Sequence, residues 1–309
     1  MSRATFYDVN LEELFTGIRP YIEELEEKYN ITCLCGQVGG GRAMALSNKR
    51  SDNDFDIFYK ARSGDRLSLK EKTVCDIGGR EIETELNFIE FDDLLNAGLK
   101  IFGDIKAKYP TIHYRDAAEK ELNEAEANKP HYERAEYYAT KLHWFITGDI
   151  IWLSDRFPVD RYKELAKKEP VIYALDYYYT RAYGNLYNYI SRESVVNTRR
   201  YLNLMWQVMS AEWILKKGYR APNRFDVLLS EIVGNEEAKR SIGELYRAYC
   251  DSDVDKKELF TSPDKVIDEY LEGCIQSQKR LIENYDKETT VSVLIDKTPE
   301  EYKQEIYKL

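Results

Sequence analysis

Apolar positions along the chain follow two rhythms, and the change between them divides it. Over residues 10–29, Leu11, Leu14, Phe15, Ile18, Ile22 and Leu25 recur at three- and four-residue intervals, the stripe of an amphipathic helix. Asn10 and Glu13 supply a capping-box pair at its start. The period then drops to two, and strands are predicted at 31–38, 54–60, 71–76 and 81–91. Alternation is clearest where Asp54, Asp56 and Phe58 interleave with Phe55, Ile57 and Tyr59, so one face packs and the other carries carboxylates. Gly78-Gly79 marks a hairpin between the last two strands. Asp92-Asp93 opens a helix predicted over 92–107, where acidic residues suit the positive end of the dipole.

Tyr109 to Pro130 is polar, with an acidic helical segment at Ala117–Ala127. Beyond it the period is helical, with helices predicted at 131–153, 158–167, 169–192, 195–217, 223–233, 235–250 and 263–285. Gly218 and Ser262-Pro263-Asp264 give stop and start signals. Thr289–Asp296 reads as a β-branched strand, and Thr298-Pro299-Glu300-Glu301 as the start of a short helix. The pattern predicts an α+β chain with a small mixed-sheet domain over 1–108 and a polar linker over 109–130. An all-helical domain follows over 131–287, and a C-terminal strand and short helix over 288–309.

The segment between the first two strands carries candidate chemistry. Gly39, Gly40 and Gly41 form a turn whose backbone N–H groups can approach a phosphate. Ser51-Asp52-Asn53-Asp54 then leads into the second strand. Asp52 and Asp54 are two apart, so on extended backbone they leave the same face. Such a pair offers the hard oxygens that Mg²⁺ prefers when it also binds substrate phosphates. In the following strand Glu81, Glu83, Glu85 and Asn87 share a face. A two-metal site usually takes a third carboxylate from such a neighbour.

This arrangement resembles the signature of the DNA polymerase β-like nucleotidyltransferases, a glycine turn followed by Asp-x-Asp at a strand start. It is similar to the minimal members, in which Gly-Ser-Arg-Ala precedes Ser-Asp-x-Asp, and the positions that align are Gly41, Arg42, Ala43, Ser51, Asp52 and Asp54. Gly41 stands where the family has serine, which leaves a backbone donor alone at that point. Glu85-Leu-Asn-Phe-Ile-Glu-Phe-Asp-Asp-Leu94 resembles the third motif, making Glu85 the expected third metal ligand ahead of Glu83 and, more distantly, Glu90. A second resemblance runs from Tyr201 to Leu229, through Tyr201, Trp213, Pro222, Phe225, Leu228 and Leu229. It points to the helical half of bacterial predicted nucleotidyltransferases linked to RNA repair. These are mainly packing residues.

Composition narrows the class. At 309 residues with 43% hydrophobic and 32% charged residues, the chain has the make-up of a soluble globular protein. With no long apolar run or basic-apolar leader it is expected in the cytoplasm, without a membrane partner. A net charge of −10 argues against nonspecific coating of nucleic acid. Residues 181–224 nevertheless hold eight basic residues against two acidic ones, a candidate phosphate-facing wall that includes Arg199 and Arg200. Cys33, Cys35, Cys75, Cys250 and Cys274 lack zinc spacing. Cys33 and Cys35 are expected to be buried thiols on one strand face. Tyr179, Tyr183 and Tyr187 line one helix face, a pattern more often core than base-stacking platform.

The resemblances imply Mg²⁺-dependent transfer of a nucleoside monophosphate from an NTP or dNTP to a hydroxyl. Asp52, Asp54 and Glu85 would hold two Mg²⁺ ions, with Mn²⁺ able to substitute. Gly39, Gly40, Gly41, Arg42, Ser51, Arg199 and Arg200 would bind nucleotide. Nucleic-acid or oligonucleotide synthesis on a nucleic-acid or protein hydroxyl is the leading expectation, and nucleotidylation of a small molecule or protein the alternative. Tyr302 and Tyr307 are candidate acceptors in protein-primed synthesis of the bacterial-defence kind. The C-terminal strand could add to the sheet or join a homodimer. The rival class is an inactive nucleotide-binding module, suggested by Gly41.

Overall fold

The computed structural model describes residues 11–62, 69–77, 80–96, 141–148, 150–154, 157–160, 163–164, 171–188, 190 and 193–283. The linker expected at 109–130, the end of the 92–107 helix and the C-terminal strand and helix with Tyr302 and Tyr307 lie outside those residues. The fold is α+β. Helix α1 (Leu11–Tyr29) precedes β1 (Ile31–Val38), a single helical turn α2 (Gly40–Ala43), β2 (Asp54–Ala61), β3 (Leu69–Ile77), β4 (Arg80–Glu90) and α3 (Phe91–Asn96). Residues 141–147 form α4, followed by β5 (Ile150–Leu153).

These five strands make one sheet in the order β3-β4-β2-β1-β5. β2 and β4 run parallel, whereas the β1–β2, β1–β5 and β3–β4 pairs are antiparallel. Ile77 pairs with Arg80, as the hairpin at Gly78-Gly79 requires. The apolar stripe of α1 covers one face: Leu14, Ile18, Ile22 and Leu25 pack on Ile31, Cys33, Phe55, Ile57, Tyr59, Ile82, Leu86 and Phe88. The opposite face is covered by α3 and α4, where Phe58, Phe91, Phe145 and Phe157 meet edge to face. Offset and edge geometries are the favoured ones for aromatic rings.

Two expectations are corrected here. The helix predicted over 131–153 stops before Ile150-Ile-Trp-Leu153, which is an edge strand on β1. Gly148 closes α4 by donating to the Trp144 carbonyl at 2.6 Å. The four apolar residues after it carry no helical period, and β-branched and aromatic side chains suit a strand. Cys33 and Cys35 are both buried, but they do not share a face. The β1–β2 register shifts between them, and an extra residue in a strand inverts the alternation beyond it. Cys33 therefore joins the core under α1 and Cys35 the core with Phe58 and Phe145. Burial pushes both thiols up, out of the range of reactive cysteines.

The rest of the described chain is mainly helical: α5 (Val171–Asn188), α6 (Thr198–Lys217), α7 (Phe225–Ile232), α8 (Glu236–Asp251) and α9 (Lys265–Glu283). A short ribbon of β6 (Val196–Asn197) and β7 (Phe260–Thr261) interrupts it. Asn197 caps α6 by accepting from the Arg200 N–H, and Gly218 ends it in the left-handed region at φ 77°. Tyr179 is buried and Tyr183 and Tyr187 pack against the helical core. That core also takes in Met44 and Leu46 from the segment between β1 and β2. No helix among the described residues is long and apolar enough to cross a membrane.

Candidate functional site

The glycine turn and the first residues of β2 are fitted to each other. The N–H of Gly39 donates to the Asp54 carbonyl at 2.8 Å, so the turn after β1 closes onto the start of β2. Gly40 sits at φ 58°, and a Cβ there would lie 1.9 Å from Asp54 Oδ2. At Gly39 a Cβ would meet Asp56 Oδ1 at 3.1 Å. The missing side chains therefore make room for carboxylates. At Gly41 the obstacle is backbone, because a Cβ would lie 2.7 Å from the Leu46 carbonyl oxygen. A serine has no place at position 41 while the turn keeps this shape.

β2 and β4 bring two of the three candidate ligands side by side. Asp54 is the register partner of Glu85. Asn53 fixes that alignment, its carbonyl accepting from the Glu85 N–H at 2.7 Å and its side-chain amide donating to the Glu83 carbonyl at 2.9 Å. Glu83 is exposed and pairs with Val74 on β3. Glu90 is buried and accepts from the Asp93 N–H at 2.6 Å, capping α3. Asp52 precedes the strand and pairs with Lys256 at 3.0 Å. Glu85 is met by Lys70 at 2.5 Å and, more loosely, by Lys72 at 3.9 Å. Asp56, two residues beyond Asp54, is fully buried under α4 and salt-bridged to Lys141 at 2.6 Å.

Burial raises the Asp54 carboxyl above its ordinary range, and the charges of Glu85 and Asp52 push it further. Partial burial also acts upward on Asp52, but the hydrogen bond and charge of Lys256 outweigh it and its net shift is downward. Among the described residues no three His, Cys, Asp or Glu side chains converge as a metal cluster. The donor chemistry nevertheless suits a hard divalent cation. Asp54, flanked by two like charges, is the carboxylate such a cation would relieve, whereas Asp52 and Glu85 are paired with lysine ammoniums.

The remaining predicted binding residues fall in several places. Ser51 is turned inward, its Oγ accepting from the Asn48 N–H at 2.9 Å and donating to Asn48 Oδ1 at 3.1 Å. Arg42 is half-buried within α2. Arg199 donates to the Leu46 carbonyl, behind the turn, and Arg200 is exposed in the first turn of α6. Within the basic block, four further cations have local partners. Arg181 donates to Tyr177, Lys216 to the Ile232 carbonyl, Lys217 pairs with Glu231 and Arg224 with Asp226.

Several residues at the site have no signal in the one-dimensional pattern. Lys256 reaches Asp52 across 204 positions, and Tyr246 donates to the Ala45 carbonyl at 2.8 Å across 201. Buried Asn48 donates to the Val254 carbonyl at 2.8 Å. The acidic, serine-containing stretch Ser252–Asp255 could have drawn notice as a loop, but nothing in it points to residues 48–52.

Comparison with models of known protein families found no match, and comparison with curated proteins found none. Among solved structures, the chain is similar to a nucleotidyltransferase-like protein from Exiguobacterium sibiricum at 12% identity. The likeness covers 87% of this chain and 74% of that one, with a TM-score of 0.30. A likeness that low carries no argument about this chain.

Proposed function

We propose that the protein is a metal-dependent nucleotidyltransferase, moving a nucleoside monophosphate from a nucleoside triphosphate to a hydroxyl acceptor. The observation that carries this reading is the parallel register of Asp54 with Glu85 against the Gly39–Gly41 turn, whose N–H and missing side chain both fit Asp54. Asp52, Asp54 and Glu85 would hold the cations. Mg²⁺ or Mn²⁺ bound there would neutralise phosphate charge and acidify the attacking hydroxyl. Gly40 and Gly41 would offer backbone N–H groups to the phosphates, that of Gly39 being committed to the Asp54 carbonyl, and Lys70, Lys72 and Lys256 are the ammoniums at hand beside the carboxylates. Asn53 and the Asp56–Lys141 pair keep β2 in place beneath the reacting groups.

For the acceptor, a nucleic-acid or protein hydroxyl is the reading we favour, with Tyr302 and Tyr307 as candidates within the chain itself. Incubation with α-phosphate-labelled nucleoside triphosphates and Mg²⁺, with RNA, with DNA and with neither, tests the assignment. Label should appear in one acceptor or in the protein and vanish in Asp54→Asn. Transfer that persists in Asp52→Ala/Asp54→Ala would refute it. Nucleotide binding without transfer is a second reading, favoured by Gly41 and by the lysines paired to Asp52 and Glu85. Calorimetric binding in Mg²⁺ with no labelled product from any acceptor would select it.

A further inference from the structure

The segment from Gly39 to Leu46 is held from the helical part of the chain at successive carbonyls. Met44 O accepts from the Phe225 N–H at 2.9 Å, at the start of α7. Ala45, at φ 53°, offers its carbonyl to the Tyr246 hydroxyl of α8. Leu46 O accepts from Arg199 Nη1 of α6. Nη2 of the same guanidinium lies 4.0 Å from Met44 Sδ, and its Cζ sits 5.9 Å from the Tyr249 ring centroid. The Leu46 carbonyl so engaged is the group that fills the space of a side chain at Gly41, and the Leu46 N–H closes the loop onto Gly41 O at 2.7 Å.

We propose that Arg199 is a positioning residue that fixes the glycine turn through the Leu46 carbonyl, rather than a ligand of the nucleotide phosphates. This rests on the nucleotidyltransferase reading for its consequence, but not for its geometry. Nη1 is committed to a backbone carbonyl of the turn, and Nη2, beside Met44 Sδ, lies 3.3 Å from where a Cβ at Gly41 would stand, so the guanidinium is packed against the turn itself. Its fork shape matters, because a lysine ammonium is a point charge without the planar, fixed donors that span Leu46 O and the Met44 side. The turn with Gly40 at positive φ then keeps the form that fits Asp54 only while Leu46 is held.

Hydrogen exchange over residues 39–47, read beside calorimetric binding of a nonhydrolysable nucleoside triphosphate analogue in Mg²⁺, tests this. In Arg199→Ala, exchange in 39–47 should rise about tenfold while the rest of α6 stays protected, and nucleotide affinity should fall by a similar factor. Arg199→Lys should behave like Arg199→Ala, and millimolar guanidinium should restore both readouts in Arg199→Ala. Tyr246→Phe, which removes only a hydroxyl, should loosen the same stretch less and serves if Arg199→Ala fails to fold. Unchanged exchange in 39–47, or wild-type affinity in Arg199→Lys, would overturn the proposal. Absence of nucleotide binding in the wild type would refute the nucleotidyltransferase reading, and the exchange and its guanidinium rescue would still decide the role of Arg199.

Discussion

At the scale of single residues, the glycines are the most exacting positions. Gly41→Ser would supply the serine that the sequence resemblance expects, but its Cβ would press on the Leu46 carbonyl at 2.7 Å. Overpacking of this kind costs about 1–3 kcal/mol. We therefore expect Gly41→Ser to lower the melting temperature and weaken nucleotide binding. A calorimetric scan beside a titration checks both, and tighter binding in the variant would contradict the steric account. Asp54 gives a second prediction, with its sign set by burial and by Glu85 and Asp52. A carboxyl raised on folding is easier to bury protonated, so its stabilising effect is present below about pH 3.8 and is lost as pH rises through the folded value. Asp54→Asn should melt roughly 2 °C above wild type at pH 7, and the gap should close as pH falls toward 4. A gap that widens on acidification would reverse the assignment.

At the scale of elements, α4 is tied to the sheet by a buried ion pair and an aromatic cluster. Lys141 salt-bridges Asp56 and lies 4.7 Å from the Trp144 ring centroid. Lys141→Met strands a carboxylate with no exposure, which costs about 3–5 kcal/mol. Urea unfolding should show a loss of that size, with much of it recovered in Asp56→Leu/Lys141→Met. If the double variant is no more stable than the single, the pair is not what anchors α4. His143 on the same helix is hydrogen-bonded to the Tyr178 hydroxyl at 2.7 Å. Burial, with the charge of Arg220, lowers its pKa to about 3. Its imidazole resonances should hold constant from pH 8 to about pH 5 while an ordinary histidine titrates near 6.5. The folded protein excludes the proton that the unfolded chain takes up, so this contribution to stability is present above pH 6.5 and lost as pH falls toward 3.

Much of the element pattern was legible because it is written in periods. The α1 stripe, the β2 alternation and the β3–β4 hairpin each follow from neighbours in sequence, and so does the Asp-x-Asp placement at the start of β2. What could not be read is what depends on partners far along the chain. The β1 bulge that separates Cys33 from Cys35 is a matter of register against β2. β5 is a strand because β1 has an edge to fill. The basic block is continuous in sequence, yet five of its eight cations are engaged with Tyr177, Leu46, Ile232, Glu231 and Asp226, which no local count reveals.

At the scale of the whole molecule, the sheet and the helices meet at the candidate site. Asn48 is fully buried, donates to Val254 and accepts from the Arg50 N–H, while Arg50 pairs with Asp253 at 2.7 Å. Asn48→Ala leaves those groups unsatisfied, at about 1–3 kcal/mol. Proteolysis should then reach residues 48–52 and 252–256 before the rest, and equal resistance in variant and wild type would count against this seam. The seam also has a consequence in time. During synthesis the carboxylates and glycines leave the ribosome ahead of the lysine that meets Asp52, which is 204 positions further on. At 5–20 residues per second, that is roughly 10–40 s. Met44 and Leu46 have no helical core to enter until α5 to α8 are made, and over the whole interval Asp52 has no counterion from Lys256. The carboxylates of the site are therefore made well before the partners that complete it.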